Sequence, residues 1–233
     1  MAARRASKPT LSTSSFAVLG QVAVTGPLSA YELAQTMRRS VHFFWPRAAS
    51  HVYAEAKTLE AAGLLARHRT FVGKRPRTEY RVTPKGRKAL AAFLATAPTR
   101  EPTLELEALL RVFLVEGGSP DDLVRALEHA ERDAEEQLAR LEAAARDYAE
   151  GKSPFQAQAH ARVLVYEFFV PFAELRLAWA RGVRQAVARW EDARLPGKEA
   201  EARARFAELA ERAGKARASA AAPRSRTVTR ARA

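Results

Sequence analysis

The sequence predicts a mainly α-helical protein with one small β-hairpin: a helix–helix–hairpin–helix unit followed by a long antiparallel helical hairpin of coiled-coil type. Three observations carry this. Between residues 29 and 90, helix signals, a basic hairpin and a further helix start follow one another in that order. Between residues 103 and 193, apolar residues recur at steps of three and four over two stretches far longer than an ordinary globular helix. Charge is also segregated. Residues 1–100 hold 17 Lys/Arg against 4 Asp/Glu, residues 101–193 hold 11 against 18, and residues 194–233 hold 11 against 4.

Residues 1–13, MAARRASKPTLST, are small, basic and Pro-containing and read as a disordered arm. A first helix is expected over Ser14–Val24, with Phe16, Leu19, Val22 and Ala23 at helical spacing, broken by Thr25-Gly26-Pro27. Ser29 and Glu32 form a capping box. The helix behind it runs to about Val41 with Leu33, Ala34 and Met37 inward, and Arg38 and Arg39 suit its C-terminal dipole. His42–Pro46, HFFWP, reads as an aromatic plug between helices.

A third helix is expected from Arg47 to Ala62, with Gly63 as its C-terminal glycine. Projected at the helical angle, Val52, Ala56 and Leu59 share a core face. Arg47, Ser50, Ala54, Lys57 and Thr58 cluster opposite, and His51 and Tyr53 flank them. A face of small and polar side chains suits a major-groove reader, because it lets the helix approach base edges. An extended run over Leu64–Val72 is followed by a turn, Gly73–Arg77, into a strand over Thr78–Val82. Phe71, Tyr80 and Val82 are expected inward. Lys74, Arg75 and Arg77 stand at the tip, where cations are costly to pack but favoured beside phosphates. Thr83-Pro84 then starts a fourth helix to Ala95, with Pro at its first position.

These residues resemble the PadR family of bacterial transcription regulators over roughly residues 15–95. Tyr53, Leu59, Glu60, Gly63 and Leu64 stand in the order of its Y…L…LE..GL segment. Arg75-Pro76-Arg77 and Tyr80-Arg81-Val82-Thr83 stand in its wing. Where the family often has Gly before the tyrosine of the second helix, this chain has Ala30, a good helix former. The resemblance implies a winged helix-turn-helix DNA-binding domain, a phosphate contact from Tyr53, and a repressor's function.

Thr96–Pro102 reads as a boundary. Thr103–Glu116 is expected to be a short apolar helix, and its LLRVFL resembles the leading helix of the PadR C-terminal domain. Ser119–Asp122 caps a long helix to Glu150, whose seam runs through Leu123, Leu127, Ala130, Ala134, Leu138, Leu141, Ala145 and Tyr148. Gly151-Lys152 turns the chain. Ser153-Pro154 is expected to cap a second long helix to about Ala193, kinked by Pro171. That helix carries two apolar stripes. One, Val163 to Ala180, suffices for the hairpin partner. The other, Phe169, Phe172, Trp179, Val183, Ala186 and Trp190, needs a second subunit. The expected dimerisation set is therefore Leu127, Leu138, Leu141, Phe169, Phe172, Trp179, Val183 and Trp190. A short helix over Glu199–Arg212 precedes a basic tail, which from Ala213 onward has no acid and is expected to be disordered.

The domains expected are thus a basic arm (1–13), a winged DNA-binding domain (14–95), a helical dimerisation domain (103–193), and a short helix with a basic tail (194–233). Composition narrows the function classes. The chain has no cysteine and 47% hydrophobic residues, and no apolar run reaches the length of a membrane span or a signal peptide's h-region. A cytoplasmic location is expected. His42, His51, His68, His129 and His160 have no metal-ligand spacing, and there is no phosphate-cradling glycine loop or seryl nucleophile motif. No enzyme activity, cofactor or metal is expected. The partners expected are double-stranded DNA bearing a palindromic operator, a second copy of the chain, and a small aromatic effector near Trp179 or Trp190. The competing expectation is an architectural DNA-binding protein with little sequence specificity, for which the Ala/Arg-rich tail speaks.

Overall fold

The computed structural model describes residues 11–42, 44–98, 101–191 and 199–221. The rest of the expected N-terminal arm, Phe43 of the aromatic plug, and the end of the basic tail lie outside the described residues. The chain divides into two units, one made of Met1–Leu104 with Asp147–Val163, the other of Glu105–Arg146 with Leu164–Ala233.

In the first unit, α1 (Thr13–Thr25) begins one residue earlier than expected. Ser12 and Ser15 form a capping box that local sequence signals did not predict, each backbone N–H donating to the other's hydroxyl at 3.0–3.1 Å. Helix α2 (Ala30–Ser40) carries the Ser29–Glu32 box. Helix α3 spans Ala49–Ala61, so Arg47 precedes the helix instead of opening it. The Pro at 46 biases its predecessor away from helical backbone, and Ala48 takes the extended N-cap conformation. The core is one cluster, with Val18, Leu19 and Val22 of α1, Leu33 and Met37 of α2, Val52, Ala56 and Leu59 of α3, and Leu64, Leu65 and Tyr80 buried together. Each fully buried leucine contributes about 1.5–3 kcal/mol relative to exposure.

The hairpin pairs β1 (Leu65–Val72) with β2 (Arg75–Val82) in antiparallel register from Leu65↔Val82 to Val72↔Arg75. The connection is therefore only Gly73-Lys74, with Gly73 at φ 62°; the five-residue turn expected from sequence is replaced by continued pairing. Leu28 adds one antiparallel bridge to Tyr80, with N–H···O distances of 2.8 and 3.3 Å. Phe71 was expected inward and is 65% exposed. Its pairing with Pro76 places it on the same face as Tyr80, but the hairpin runs past the end of the core there.

Helix α4 (Pro84–Ala95) is capped by Thr83, whose hydroxyl accepts from the Gly86 amide at 3.0 Å. Phe93 stacks on Phe16 with ring centroids 4.3 Å apart, while Leu94 is exposed.

The second unit begins with α5 (Glu107–Phe113), followed by a 3-10 turn over Val115–Gly117. The apolar helix expected from Thr103 to Glu116 is thus shorter at both ends. Helix α6 spans Pro120–Ala149 behind the Ser119–Asp122 capping box. Helix α7 spans Ala159–Val187, not Ser153 to Ala193. The Ser153 hydroxyl instead accepts from the Phe155 amide at 3.2 Å, closing a turn, and a 3-10 turn over Gln156–Gln158 precedes the helix. One helix continues through Pro171.

Within this unit α6 and α7 run antiparallel. Leu141 packs with Phe169 and Ala173 at one level, and Leu123 and Leu127 with Val187 at another. Arg181 pairs with Glu135 at 2.5 Å, Arg184 with Glu131, and Arg176 with Asp133 and Gln137. Helix α8 spans Glu199–Ala221 and overruns the expected end at Arg212. Alanine's helix propensity outweighs the tail-like composition there.

Gly86 tests the packing of α4. A Cβ built on it would lie 2.2 Å from the Leu64 carbonyl oxygen, a backbone atom with no rotamer to yield. Gly86→Ala should lower the stability of the first unit by about 1–3 kcal/mol, read as an earlier urea midpoint. An unchanged midpoint would show that α4 can shift freely.

Candidate nucleic-acid interface

The side chains of α3 sort by the core face just described. Ser50, His51, Ala54 and Lys57 are exposed, whereas Tyr53 and Thr58 are half-buried. The Thr58 hydroxyl donates to the Ala54 carbonyl one turn back at 3.1 Å, which engages it within the helix. Ser50, Ala54 and Lys57 thus form an outward row of small and polar groups, with His51 at its edge.

Arg47 stands apart from that row. Its Nε and the Trp45 indole N–H both donate to the Ser14 hydroxyl at 3.1 Å, and its guanidinium lies 4.9 Å over the Trp45 ring. The aromatic plug is therefore Trp45, tied to the start of α1, while Phe44 is exposed. A second tie was not foreseen. Glu55 accepts from the Ser12 and Ser15 hydroxyls at 3.1 and 2.7 Å, and the His51 Nδ1 lies 4.0 Å from it. The tie joins residues 43 and 40 positions apart, and its hint in the sequence is only the serine pair, Ser12 and Ser15. A hydroxyl pair at a helix start offers donors to any carboxylate on a helix packed alongside.

The wing's cations divide into two groups. Arg67 is paired with Glu60 at 2.5 Å. Arg77, expected at the tip, lies within β2 opposite Thr70; it pairs with Glu32, and its Nε is 3.2 Å from Glu79. Arg69, Lys74 and Arg75 are exposed and make no hydrogen bond or ion pair among the described residues. Lys74 and Arg75 occupy the turn and the first position of β2, where nothing competes for their charge. Burial pushes the Tyr80 hydroxyl up, and Glu60 adds to this against Arg67, so it stays neutral at the base of the wing.

Glu32 joins the two halves of this arrangement. Its Oε2 accepts from the Ser29 amide and hydroxyl, each at 2.9 Å, and from Arg77. One carboxylate thereby caps α2 and holds the wing strand. Arg77 acts as a strut, not as a free contact.

In the second unit, all eight residues expected at a dimer interface are engaged inside the chain. Leu127, Trp179, Val183 and Trp190 belong to one cluster, Leu138, Leu141, Phe169 and Phe172 to the other. Apart from Val163, which is exposed, both stripes of α7 face packing that the chain itself supplies. The large apolar side chains left exposed are different ones: Leu109, Leu110, Phe113 and Leu114 on and just after α5, Val163, Leu164, Val165, Phe168 and Leu175 on α7, and Phe206 and Leu209 on α8. A groove of about 990 Å³ lies between α5 and α6, with Trp179 in its wall. Its arginines Arg111, Arg125 and Arg176 are each already paired with a carboxylate. Among the described residues, no cluster of His, Asp or Glu could hold a metal ion, and no helix is long and apolar enough to cross a membrane.

Residues 47–97 match the family described as a winged helix DNA-binding domain, and residues 106–188 match the family described as the virulence activator alpha C-terminal region. The chain is similar to the crystal structure of Bacillus subtilis PadR in complex with operator DNA, at 19% identity and a TM-score of 0.65 over 76% of this chain and 99% of that one. It is similar to a PadR-like transcriptional regulator of Bacillus cereus, at 15% identity and a TM-score of 0.61 over 75% and 98%. It is also similar to B. subtilis PadR in complex with p-coumaric acid, at 18% identity and a TM-score of 0.59 over 76% and 96%. No curated protein sequence matches the chain. A winged helix unit followed by a long helical unit is thus the fold this chain shares with PadR regulators.

The Glu32 junction has a pH signature. Burial raises its carboxyl, but the Ser29 donors and the Arg77 guanidinium outweigh that and hold it below the ordinary 4.5. A carboxylate with a depressed folded pKa adds stability above its unfolded pKa and loses it as pH falls through the folded one. Hydrogen-exchange protection of α2 and β2 amides should therefore weaken as pH drops below about 4.5. Glu32→Gln should be less protected at neutral pH and show less of that acid loss. Equal pH dependence in both proteins would remove Glu32 from this role.

Proposed function

We propose that this chain is a DNA-binding transcription regulator of the PadR family, a repressor that binds a palindromic operator as a homodimer. The observation that carries the reading is the pairing of an uncommitted α3 face with uncommitted wing cations. Ser50, Ala54 and Lys57 point away from the core, and Arg69, Lys74 and Arg75 have no carboxylate partner among the described residues. The four carboxylates of residues 1–100, Glu32, Glu55, Glu60 and Glu79, are spent on ties within the unit. That leaves the outward surface to a polyanion. The match to a winged helix DNA-binding domain, and the likeness to a PadR structure that holds operator DNA, support it.

In this reading residues 14–95 bind DNA and residues 103–193 dimerise. Ser50, His51 and Lys57 read base edges. Tyr53 contacts phosphate from the helix flank, and Lys74 and Arg75 do so from the wing. Arg47, Thr58 and Arg77 support these groups. The dimer forms through the apolar side chains that the chain leaves uncovered on α5 and α7, with Leu110 and Phe113 central. A dimer matches two half-sites in successive major grooves, which makes the operator palindromic. A small aromatic effector would lie in the groove beside Trp179, where apolar walls and no unpaired arginine favour a ring over a strong anion. The protein acts in the cytoplasm.

The experiment separates base reading from phosphate binding. Lys74→Gln with Arg75→Gln should weaken operator and random duplex alike, and lower the slope of log affinity against log salt by about 0.9 for each phosphate no longer neutralised. Ser50→Ala or Lys57→Ala should instead cut the preference for operator by about 1–3 kcal/mol where the side chain pairs with a base. A wing variant with the full salt slope would overturn the assignment. Separately, Leu110→Asp with Phe113→Asp should give a folded monomer by light scattering at micromolar concentration; a dimer would place the interface elsewhere.

A further inference from the structure

We infer that α8 of one copy of the chain lies antiparallel along the outer face of α7 in a second copy, apolar seam against apolar seam and arginine against carboxylate. The inference rests on the homodimer proposed above and names what covers the α7 part of it. Helix α7 turns Phe169, Ala173 and Val187 onto α6. Its other side carries Leu164, Phe168, Pro171 and Leu175 at steps of four, three and four, all exposed, Phe168 at 63%. Phe168 is nonetheless held by its neighbours. Its ring stacks on Phe172 with centroids 5.9 Å apart and meets Phe169 edge-on at 5.2 Å. A ring fixed in place and left bare is prepared for a contact that the chain itself does not supply.

Helix α8 repeats the pattern. Every residue from Glu199 to Ala220 is exposed, and no buried cluster includes one of them. The helix also lies beyond the match to the C-terminal family, which ends at residue 188. Alanine accounts for its being helical, but packing within the chain does not account for its sequence. Ala202, Phe206, Leu209, Ala213 and Ala216 recur at steps of four, three, four and three, with Phe206 72% exposed. Alternating steps of three and four make the seam of paired helices, and the alanines let a partner helix come close. Only two side chains of this seam are large, so the partner has to supply the remaining bulk.

Charge selects the partner and the direction. Glu167 and Glu174 stand directly before Phe168 and Leu175, and Arg205 and Arg212 stand directly before Phe206 and Ala213. All four are exposed and make no hydrogen bond or ion pair among the described residues. The acids Glu201, Glu208 and Glu211 project to the opposite face of α8 at about 100° per residue. Two seams each flanked by arginine repel, so α8 does not pair with a second α8. Residues that stand just before the first seam position of a heptad face each other when the helices run antiparallel. In that direction a single register brings Glu167 to Arg212 and Glu174 to Arg205. It also sets Phe168 against Leu209 and Pro171 against Phe206, while Leu164 and Leu175 meet Ala213 and Ala202, large beside small at both ends. One chain leaves both seams bare. Two-fold symmetry covers them together, α8 of each copy on α7 of the other.

The test mixes two full-length charge variants. One carries Glu167→Arg with Glu174→Arg, the other Arg205→Glu with Arg212→Glu. All four positions are exposed, so both variants should keep the wild-type helix content by circular dichroism. Each alone sets like charges across both contacts and should weaken dimerisation by at least about tenfold in sedimentation. Mixed, they place arginine against glutamate at both contacts and should form heterodimers in preference to either homodimer. A chain carrying all four substitutions should dimerise as the wild type does. If mixing restores nothing, the inference is overturned; recovery in the four-fold variant then puts α8 on its own chain's α7. Dimerisation unchanged by either pair of substitutions also overturns it, with the homodimer reading intact. A wild-type chain that stays monomeric at micromolar concentration sinks that reading and this inference together.

Discussion

The peptide between Gly63 and Leu64 is the point on which the N-terminal unit depends. Gly63, at φ 70°, ends α3: its amide donates to Glu60 at 2.8 Å, and the Leu64 amide donates to Leu59 at 2.9 Å. This double closure brings Leu64 back against Leu59, so that both are buried. The same segment then receives the next two elements. The Thr83 amide and hydroxyl donate to the Leu64 carbonyl at 3.1 and 3.2 Å, and that hydroxyl also reaches the Gly63 carbonyl at 2.8 Å. Lys85 donates to the Ala62 carbonyl at 2.6 Å, and Gly86 allows α4 to lie against Leu64. The end of α3, the base of the wing and the start of α4 are fixed at one place. The orientation of α3 is thereby set by backbone geometry, and its outer face is left without structural duties.

Electrostatics completes the separation of support from contact. Exposed ion pairs are each worth little in stability, so the value of Glu32, Glu55 and Glu60 lies in what they remove from the outer surface. Each carboxylate is turned toward an internal donor: Arg77 and the α2 cap, the α1 serines, and Arg67. Unpaired charge outside is then basic on the wing. The same division recurs in the second unit, where Asp133, Glu131 and Glu135 tie α6 to Arg176, Arg184 and Arg181 of α7.

Much of this was legible in the sequence because it is local. The capping boxes at Ser29 and Ser119, the Thr83-Pro84 start, the glycine at 63 and the core face of Val52, Ala56 and Leu59 are all set by neighbours within a turn. What escaped depends on distant partners. Arg77 reads as a tip cation until the two-residue turn places it in a strand facing Glu32, 45 residues earlier. Gly86 looks like an ordinary helix glycine without the Leu64 carbonyl opposite. Periodicity located both stripes of α7 but not what covers them: Phe169 and Trp179 face the chain's own α6 side, while α5, read as a modest apolar helix, leaves Phe113 83% exposed. A helical pattern fixes which residues share a face, and only the fold says which faces remain bare.

The central claim is that α3 reads sequence while the rest of the molecule holds it in place. It is tested most directly by selecting bound fragments from a pool of random duplex DNA with the full-length protein, over several rounds at fixed salt. The account predicts enrichment of one inverted repeat, its half-sites separated by whole helical turns of about 10–10.5 base pairs. Affinity for the winner should exceed that for a scrambled site by at least about a thousandfold. Recovery of fragments with no shared motif, bound no tighter than scrambled DNA, would contradict it and leave charge alone as the basis of binding.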